Sequence, residues 1–383
     1  MIKKIPKVAL LVETSREFGR SFLYGVARYA RTHGPWVFYR ETGGLERSIP
    51  KIKNWGADAV MTRTLKHSEH LHSLGVPIVY IIHREIADSP YPAVVTDGEN
   101  IAKMAAEHFW DRGFRNFAFC GFDTMSWSVQ RGRFFFHFIK KAGVGVNLYK
   151  QPSSKNLQRW ENEQAFLAEW LKGLPKPVAV MACNDDRGQH VIEACKMVNI
   201  KIPEEVAVLG VDNDVLVCDL CEPPLSSIAL NTEKAGYDAA ELLDNLMHGG
   251  KMAGQKILVE PTHIATRRST DILSIQDTDV ADALRFIRNN CRSQITVEDV
   301  VNALTISRRV LEKRFRKLLN RSVLEEIRKA RTDAAARMLV ETEMSVSQIA
   351  EKLGYTETAH LSRYFHKEKG VSPIAFRKRI RPK

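Results

Sequence analysis

At 383 residues the chain is long for one hydrophobic core, and its 44% hydrophobic and 27% charged residues fit two or three globular domains. No stretch approaches the ~20 apolar residues of a membrane span, so no membrane-spanning helix is expected. The formal charge of +12 is concentrated: residues 281–383 carry 23 Lys+Arg against 12 Asp+Glu, whereas the first 280 residues carry 34 against 33. That asymmetry is expected of a nucleic-acid-binding module joined to a neutral partner.

The opening MIKKIPKVALLVE has a basic tip and too few apolar residues before Glu13 for a signal-peptide core, which predicts a buried first strand and a cytoplasmic location. Short apolar runs then alternate with helical patterns through residue 268. The runs are Val8–Val12, Ala59–Met61, Ile78–Ile82, Ala93–Val95, Phe117–Cys120, Val178–Ala182 and Val206–Gly210; helical spacing covers Phe22–Arg31, Ile101–Asp111, Arg131–Ala142 and Gly188–Val198. This alternation predicts parallel sheets covered by helices on both faces. HSEHLH, His67 to His72, lacks framing carboxylates and reads as a solvated helix face. Cys218 and Cys221 form a lone C-x-x-C and read, like most of the six cysteines, as buried thiols. No motif calls for a metal or another cofactor.

In sheets of this kind ligands bind beyond the carboxyl ends of the strands. ETSRE, with Ser15 and Arg16, follows the first run. Asp97 follows Ala93–Val95; Asp123, Trp127 and Arg131 follow Phe117–Cys120; Asn184 and Asp185 follow Val178–Ala182; Asp212 and Asn213 follow Val206–Gly210. Carboxylates, amides, an arginine and a flat aromatic ring on one rim suit a sugar. The alternative for Asp97 and Asp185 is that they cap helices. Paired carboxylates at Asp185 and Asp212 leave a sugar-acting enzyme as a remote reading, unsupported by any nucleophile–base pair or phosphate loop.

The segments VVTDGENIAKMAAEHFWDRGFRNFAFCG, VMACNDDRGQHVI and IPEEVAVLGVDNDVLVCDLCEPPLSSI resemble the sugar-sensing core of LacI/GalR-type repressors and the periplasmic sugar-binding fold. The resemblance implies two lobes with a ligand cleft between them, and crossings near Gly113, near Ile228 and before Ile257. By position it implies ligand contacts at Ser15, Asp97, Arg131, Asn184 and Asp212, with Asp185 and Asn213 adjacent.

The last hundred residues contain a repeat. VEDVVNALTISRRVLEKRF, Val297 to Phe315, aligns with VSQIAEKLGYTETAHLSRYF, Val346 to Phe365, at an offset of 49 residues before a turn and 50 after it. Each copy predicts a helix-turn-helix whose second helix packs through Leu-x-x-x-Phe. The opposite side projects Arg308, Arg309, Glu312 and Lys313 in one copy and Thr358, His360, Ser362 and Arg363 in the other. Such a helix fits the major groove of double-stranded DNA. Between the copies lies Val323–Glu341, whose nineteen residues span about 28 Å as a helix, near the roughly 34 Å between successive major grooves. The closing basic run suits phosphate contacts.

ALTISRRVLEKRFRK, RKARTDAAARMLVETEMSVSQIAEKLGY and SRYFHKEKGVSPIAFRKR resemble the DNA-binding domain of AraC/XylS-type regulators, with Thr305 where glycine is usual and Tyr355 where phenylalanine is usual. The resemblance implies base contacts from Arg309, Glu312 and Lys313, and from Thr358, His360 and Arg363. DNA binding is then expected at the C-terminal end rather than ahead of the first strand, a combination similar to the xylose-operon regulators. It implies a sensor over 1–268, a linker over 269–277, and a DNA-binding domain over 278–383 with helix-turn-helices at 297–316 and 346–367. It further implies a homodimeric activator of pentose catabolic genes, with a monosaccharide effector (xylose favoured) and RNA polymerase as a partner. A repressor answering to another monosaccharide is the alternative.

Overall fold

The computed structural model describes residues 5–40, 49–63, 68–82, 91–152, 160–250, 254–275 and 277–381. In chain order the first lobe contributes β1 (Lys7–Leu11), α1 (Glu17–His33), β2 (Val37–Arg40), α2 (Ile49–Trp55), β3 (Ala59–Thr62), α3 (Ser68–His72), β4 (Ile78–Ile81) and β5 (Ala93–Thr96). The second lobe follows with α4 (Gly98–Trp110), β6 (Asn116–Cys120), α5 (Ser126–Lys141), β7 (Val146–Leu148), α6 (Trp160–Lys172), β8 (Val178–Ala182), α7 (Asp185–Met197), β9 (Val206–Val211), α8 (Val215–Leu220) and β10 (Ser226–Leu230). The chain returns to the first lobe for α9 (Thr232–Met247) and β11 (Lys256–Val259), then to the second for β12 (Pro261–Ala265).

The two six-stranded sheets have orders β11-β5-β4-β3-β1-β2 and β12-β10-β9-β8-β6-β7. All pairs are parallel except β10–β12. Strands β3, β4, β8 and β9 bury every residue, because helices cover both faces of each sheet. The lobes therefore repeat one topology. In each the chain runs outward one way from β1 or β6 and then back across it, which places a switch point beside those strands. Lobe one is further fixed by α1 lying against α9 at two glycines: a Cβ on Gly25 would stand 1.9 Å from the Glu233 carbonyl, and one on Gly236 2.0 Å from that of Phe22.

The crossing expected near Ile228 falls three residues on, at Asn231; those expected near Gly113 and before Ile257 are displaced, to Asp97 and Glu260. Helix α4 already belongs to the second lobe, since Ala105 and Phe109 pack with Phe114, Phe117 and Phe135. The three crossings are laced together: Asp97 N–H donates to the Val259 carbonyl (2.8 Å), Asn231 N–H to the Glu260 carbonyl (3.0 Å), and Glu260 N–H to Asn231 Oδ1 (2.7 Å). The segment 269–277, expected as a linker, begins inside the second lobe. Ser269 and Thr270 are buried, and Ser269 Oγ donates to the Val208 carbonyl (2.6 Å).

The remaining chain is helical: α10 (Thr278–Asn290), α11 (Val297–Asn302), α12 (Arg308–Leu319), α13 (Val323–Glu341), α14 (Val346–Lys352), α15 (Thr358–Lys369) and α16 (Pro373–Ile380). The repeat extends beyond the two helix-turn-helices. Both α12 and α15 end on a left-handed residue, Asn320 and Gly370, and a serine two residues later caps the next helix. Capping boxes open α11 (Thr296/Asp299), α13 (Ser322/Glu325) and α14 (Ser345/Gln348). Val300, Leu311, Phe315 and Val323 form one small core; Leu339, Ile349, Leu361 and Phe365 form the other. The long helix α13 belongs to both. No helix among the described residues is long and apolar enough to cross a membrane.

Candidate functional site: the interlobe cleft and two exposed helices

The lobes meet through the N-terminus of α1. Asp214, buried in the turn after β9, accepts from Glu17 N–H (2.8 Å) and from the Arg20 guanidinium (3.0 Å). A carboxylate of one lobe thus completes the first turn of a helix in the other, where the helix dipole favours it. Beside it Arg16 Nε meets Asp186 Oδ2 at 2.6 Å.

Behind this clasp lies a charged cluster. Asp212 sits at φ +104 with its N–H on the Ile228 carbonyl (2.9 Å), and no group among the described residues donates a hydrogen bond to its half-buried carboxylate. Burial pushes its pKa up to about 6 against the opposing pull of Arg131 and Arg63. Arg131, on α5, is 3% exposed. One of its terminal nitrogens donates to the Cys183 carbonyl, its Nε has no partner among the described residues, and its guanidinium lies 5.4 Å from the Trp127 ring centroid. Arg63 lies 5.1 Å from the centroid of Phe18 and faces Asp212 and Glu13. An ionised acceptor, buried guanidinium donors and aromatic faces converge from β1, β3, β6 and β9. That set can accept from and donate to vicinal hydroxyls while covering an apolar ring face.

The other rim residues have local duties. Asp185 is 2% exposed, accepts from Ser227 Oγ (2.5 Å) and Asp214 N–H (2.7 Å), and burial holds its pKa well above the carboxylate range. Asn184 caps α7 through Arg187 N–H (3.0 Å), and Asp97 caps α4 through Asn100 N–H (3.0 Å). Asn213 Oδ1 accepts from Arg267 (3.0 Å), and exposed Ser15 donates to Glu13. Sequence reasoning missed Arg63, Asp186 and Asp214. Arg63 directly follows β3, so the rule of reading what comes after each strand reaches it once that strand is included. The histidine run contributes no site among the described residues: His72 stacks on Tyr91 at 4.1 Å and bonds Tyr80 (2.8 Å), and His67 lies outside them.

In the C-terminal region Leu311 and Phe315 of α12, and Leu361 and Phe365 of α15, are buried. Arg308, Arg309, Lys313, Thr358 and Arg363 are exposed, and Glu312, His360 and Ser362 are partly so. Arg308 pairs with Glu298, and His360 stands 3.9 Å from Glu357. The Arg363 guanidinium lies 5.2 Å from the Tyr364 ring centroid. Arg331 of α13 steadies the second turn, donating to the Leu353 carbonyl and stacking 3.9 Å from the Tyr355 centroid.

Comparison with known proteins gives three results. Residues 106–270 match the periplasmic binding protein-like domain, and residues 300–379 match a helix-turn-helix domain. The chain is 30% identical to the xylose operon regulatory protein of Escherichia coli K12 across 98% of both chains, and 29% identical to that of Haemophilus influenzae across 98% and 99%. Among solved structures, a xylose-binding transcription activator superposes with a TM-score of 0.65 at 28% identity, covering 98% of this chain and 99% of its own.

Proposed function

Because this chain belongs to the family of xylose operon regulators, we propose that it activates transcription of pentose catabolic genes in response to xylose bound between its lobes. The observation that carries the reading is the union of two features in one chain. A cleft holds the Asp212 carboxylate, which accepts no hydrogen bond among the described residues, near Arg131, whose Nε has no partner among them, and a twofold helix-turn-helix repeat exposes basic donors. Asp212, Arg131, Trp127 and Arg63 contact the sugar; Arg309, Lys313, Thr358 and Arg363 reach base edges; exposed Lys378 meets phosphates. We read the sensor as running through Thr270, the connector as 271–277 and the DNA-binding domain as 278–383, working in the cytoplasm.

The working unit is a homodimer on adjacent half-sites, with RNA polymerase the partner of the DNA-bound form. The face of α8 supports a second copy, since Leu216 and Leu220 are each 65% exposed. Sugar shifts the protein only by binding one arrangement of the lobes more tightly than the other. The C-terminal domain rests on the second lobe and on the hinge: Arg321 and Lys329 hold Asp111 at the end of α4 (2.7 and 3.1 Å), and Arg379 of α16 pairs with Glu260 at the third crossing (Nε–Oε2 2.7 Å). Closure therefore acts where α16 is attached. The reading is of a regulator and not an enzyme, because Asp185, the second carboxylate, is already spent on Ser227 and Asp214.

A thermal-shift panel of pentoses and hexoses tests this reading. Xylose is expected to raise the melting temperature most; a chain indifferent to every sugar contradicts it.

A further inference from the structure

Between the second lobe and the C-terminal domain lies a cavity of about 580 Å³, within the usual range for a small-molecule site. Its walls come from α4 and β12 on one side and from α10 and α13 on the other. Carboxylates line it, but most are already paired. Asp111 holds Arg321 and Lys329, Glu326 holds Arg321, Asp333 holds Lys369 (2.7 Å) and Lys329 (3.3 Å), and Glu341 accepts from His263 (3.2 Å). The two remaining acids, Glu107 and Asp271, are exposed and make no ion pair among the described residues.

The arginines are in the opposite condition. Arg112, Arg288, Arg292 and Arg337 all line the cavity, and none has a carboxylate partner among the described residues. Arg112 is 8% exposed and held in place without being neutralised: its Nε donates to the Thr270 carbonyl (2.8 Å) and a terminal nitrogen to His108 Nδ1 (3.0 Å). His108 is in turn fixed through Nε2 on Thr270 Oγ1 (3.0 Å). Arg288 reaches only the Asp111 carbonyl, at 3.4 Å. The Nε of Arg337 is buried without a partner. Burial, with the neighbouring Arg288, pushes the Arg112 pKa down to about 9 against the opposing pull of Asp111, Asp271 and Glu326.

Arg112 is buried, Arg288 and Arg337 are partly so, and none of them has an ion-pair partner among the described residues; an anion that takes their forks repays the cost of that desolvation. Phosphate matches the planar guanidinium in a bidentate manner. We propose that this interdomain cavity, lined by Arg112, Arg288, Arg292 and Arg337, is a second effector site that binds a small phosphate-bearing metabolite. An occupant touches the sensor and both halves of the DNA-binding domain at once. It therefore stabilises the docked arrangement and, by linkage, alters the response to sugar.

The test uses the full chain without DNA, titrated with inorganic phosphate, pyrophosphate, fructose 1,6-bisphosphate and, as a non-phosphate anion, citrate, at constant ionic strength, with melting temperature and calorimetry as readouts. A saturable stabilisation by at least one of these is expected. Arg288→Gln and Arg337→Gln should each weaken it by about tenfold or more while keeping the xylose-induced shift, which reports an intact fold. The double variant Arg309→Ala/Arg363→Ala, on α12 and α15, should keep it. A non-saturating response, a response lost in that double variant, or a response to citrate alone overturns the proposal.

Discussion

At the scale of single residues, Asp212 is the most informative side chain in the cleft. Its carboxyl has a pKa of about 6 in the fold, above the ordinary aspartate value, so between about pH 4 and 6 the folded state binds more protons than the unfolded one. Its contribution to the stability of the sugar-free protein thus falls as pH rises through that window. In the proposed sugar contact the ionised form of Asp212 is the acceptor, so sugar affinity is expected to run the other way. Between pH 7 and pH 5 the dissociation constant for xylose should rise by about tenfold, as read by calorimetry. Asp212→Asn should abolish the sugar-induced thermal shift and remove the pH dependence, with the sugar-free melting temperature unchanged or higher. On the DNA side, Arg363→Ala should cost about 1–3 kcal/mol of specific binding and relax discrimination at one base position, measured across a panel of duplex variants. A uniform loss across all sequences would instead assign Arg363 to phosphate.

At the scale of elements, the two turns of the repeat explain a difference visible in the sequence. The second turn places Gly354 at φ +69, and a Cβ there would lie 2.9 Å from the Gln294 backbone nitrogen. The first turn is one residue shorter, and Thr305 in it does not adopt positive φ. Gly354→Ala should therefore destabilise the chain by about 1–3 kcal/mol in urea unfolding, whereas Thr305→Gly should cost roughly 1 kcal/mol or less. The contact between α16 and the hinge gives a second prediction. Glu260→Gln and Arg379→Gln should each leave sugar affinity near wild type but cut the sugar-dependent change in DNA affinity by about 0.5–2 kcal/mol. Glu260 lies on the sensor, so an effect confined to Arg379→Gln would mark that arginine as a phosphate contact only. The helix-turn-helices were legible because apolar spacing, caps and turn residues are local and occur twice. The crossings were not. Nothing in the composition around Asp97 marks a change of sheet, and Gly113, which carries φ +84, serves a turn packed under Ser274 and Ile275.

At the scale of the whole molecule, charge and periodicity disclosed a neutral α/β region and a cationic helical one, and family motifs supplied their roles. The shared topology of the lobes was hidden, because a buried parallel strand reads as an apolar run whichever sheet it joins. The interlobe clasp was hidden for a related reason: Arg20 and Asp214 are 194 residues apart and become neighbours only through the hinge. The attachment of the C-terminal domain likewise depends on ion pairs between distant segments, Asp111 with Arg321 and Glu260 with Arg379. These contacts make the sensor and the DNA reader one mechanical unit. The most direct test is the affinity of the full chain for a duplex selected from a random pool, measured with and without saturating xylose. Xylose should tighten binding by about tenfold in the wild type and leave Asp212→Asn unchanged; a wild-type affinity that is the same in both conditions would contradict the account.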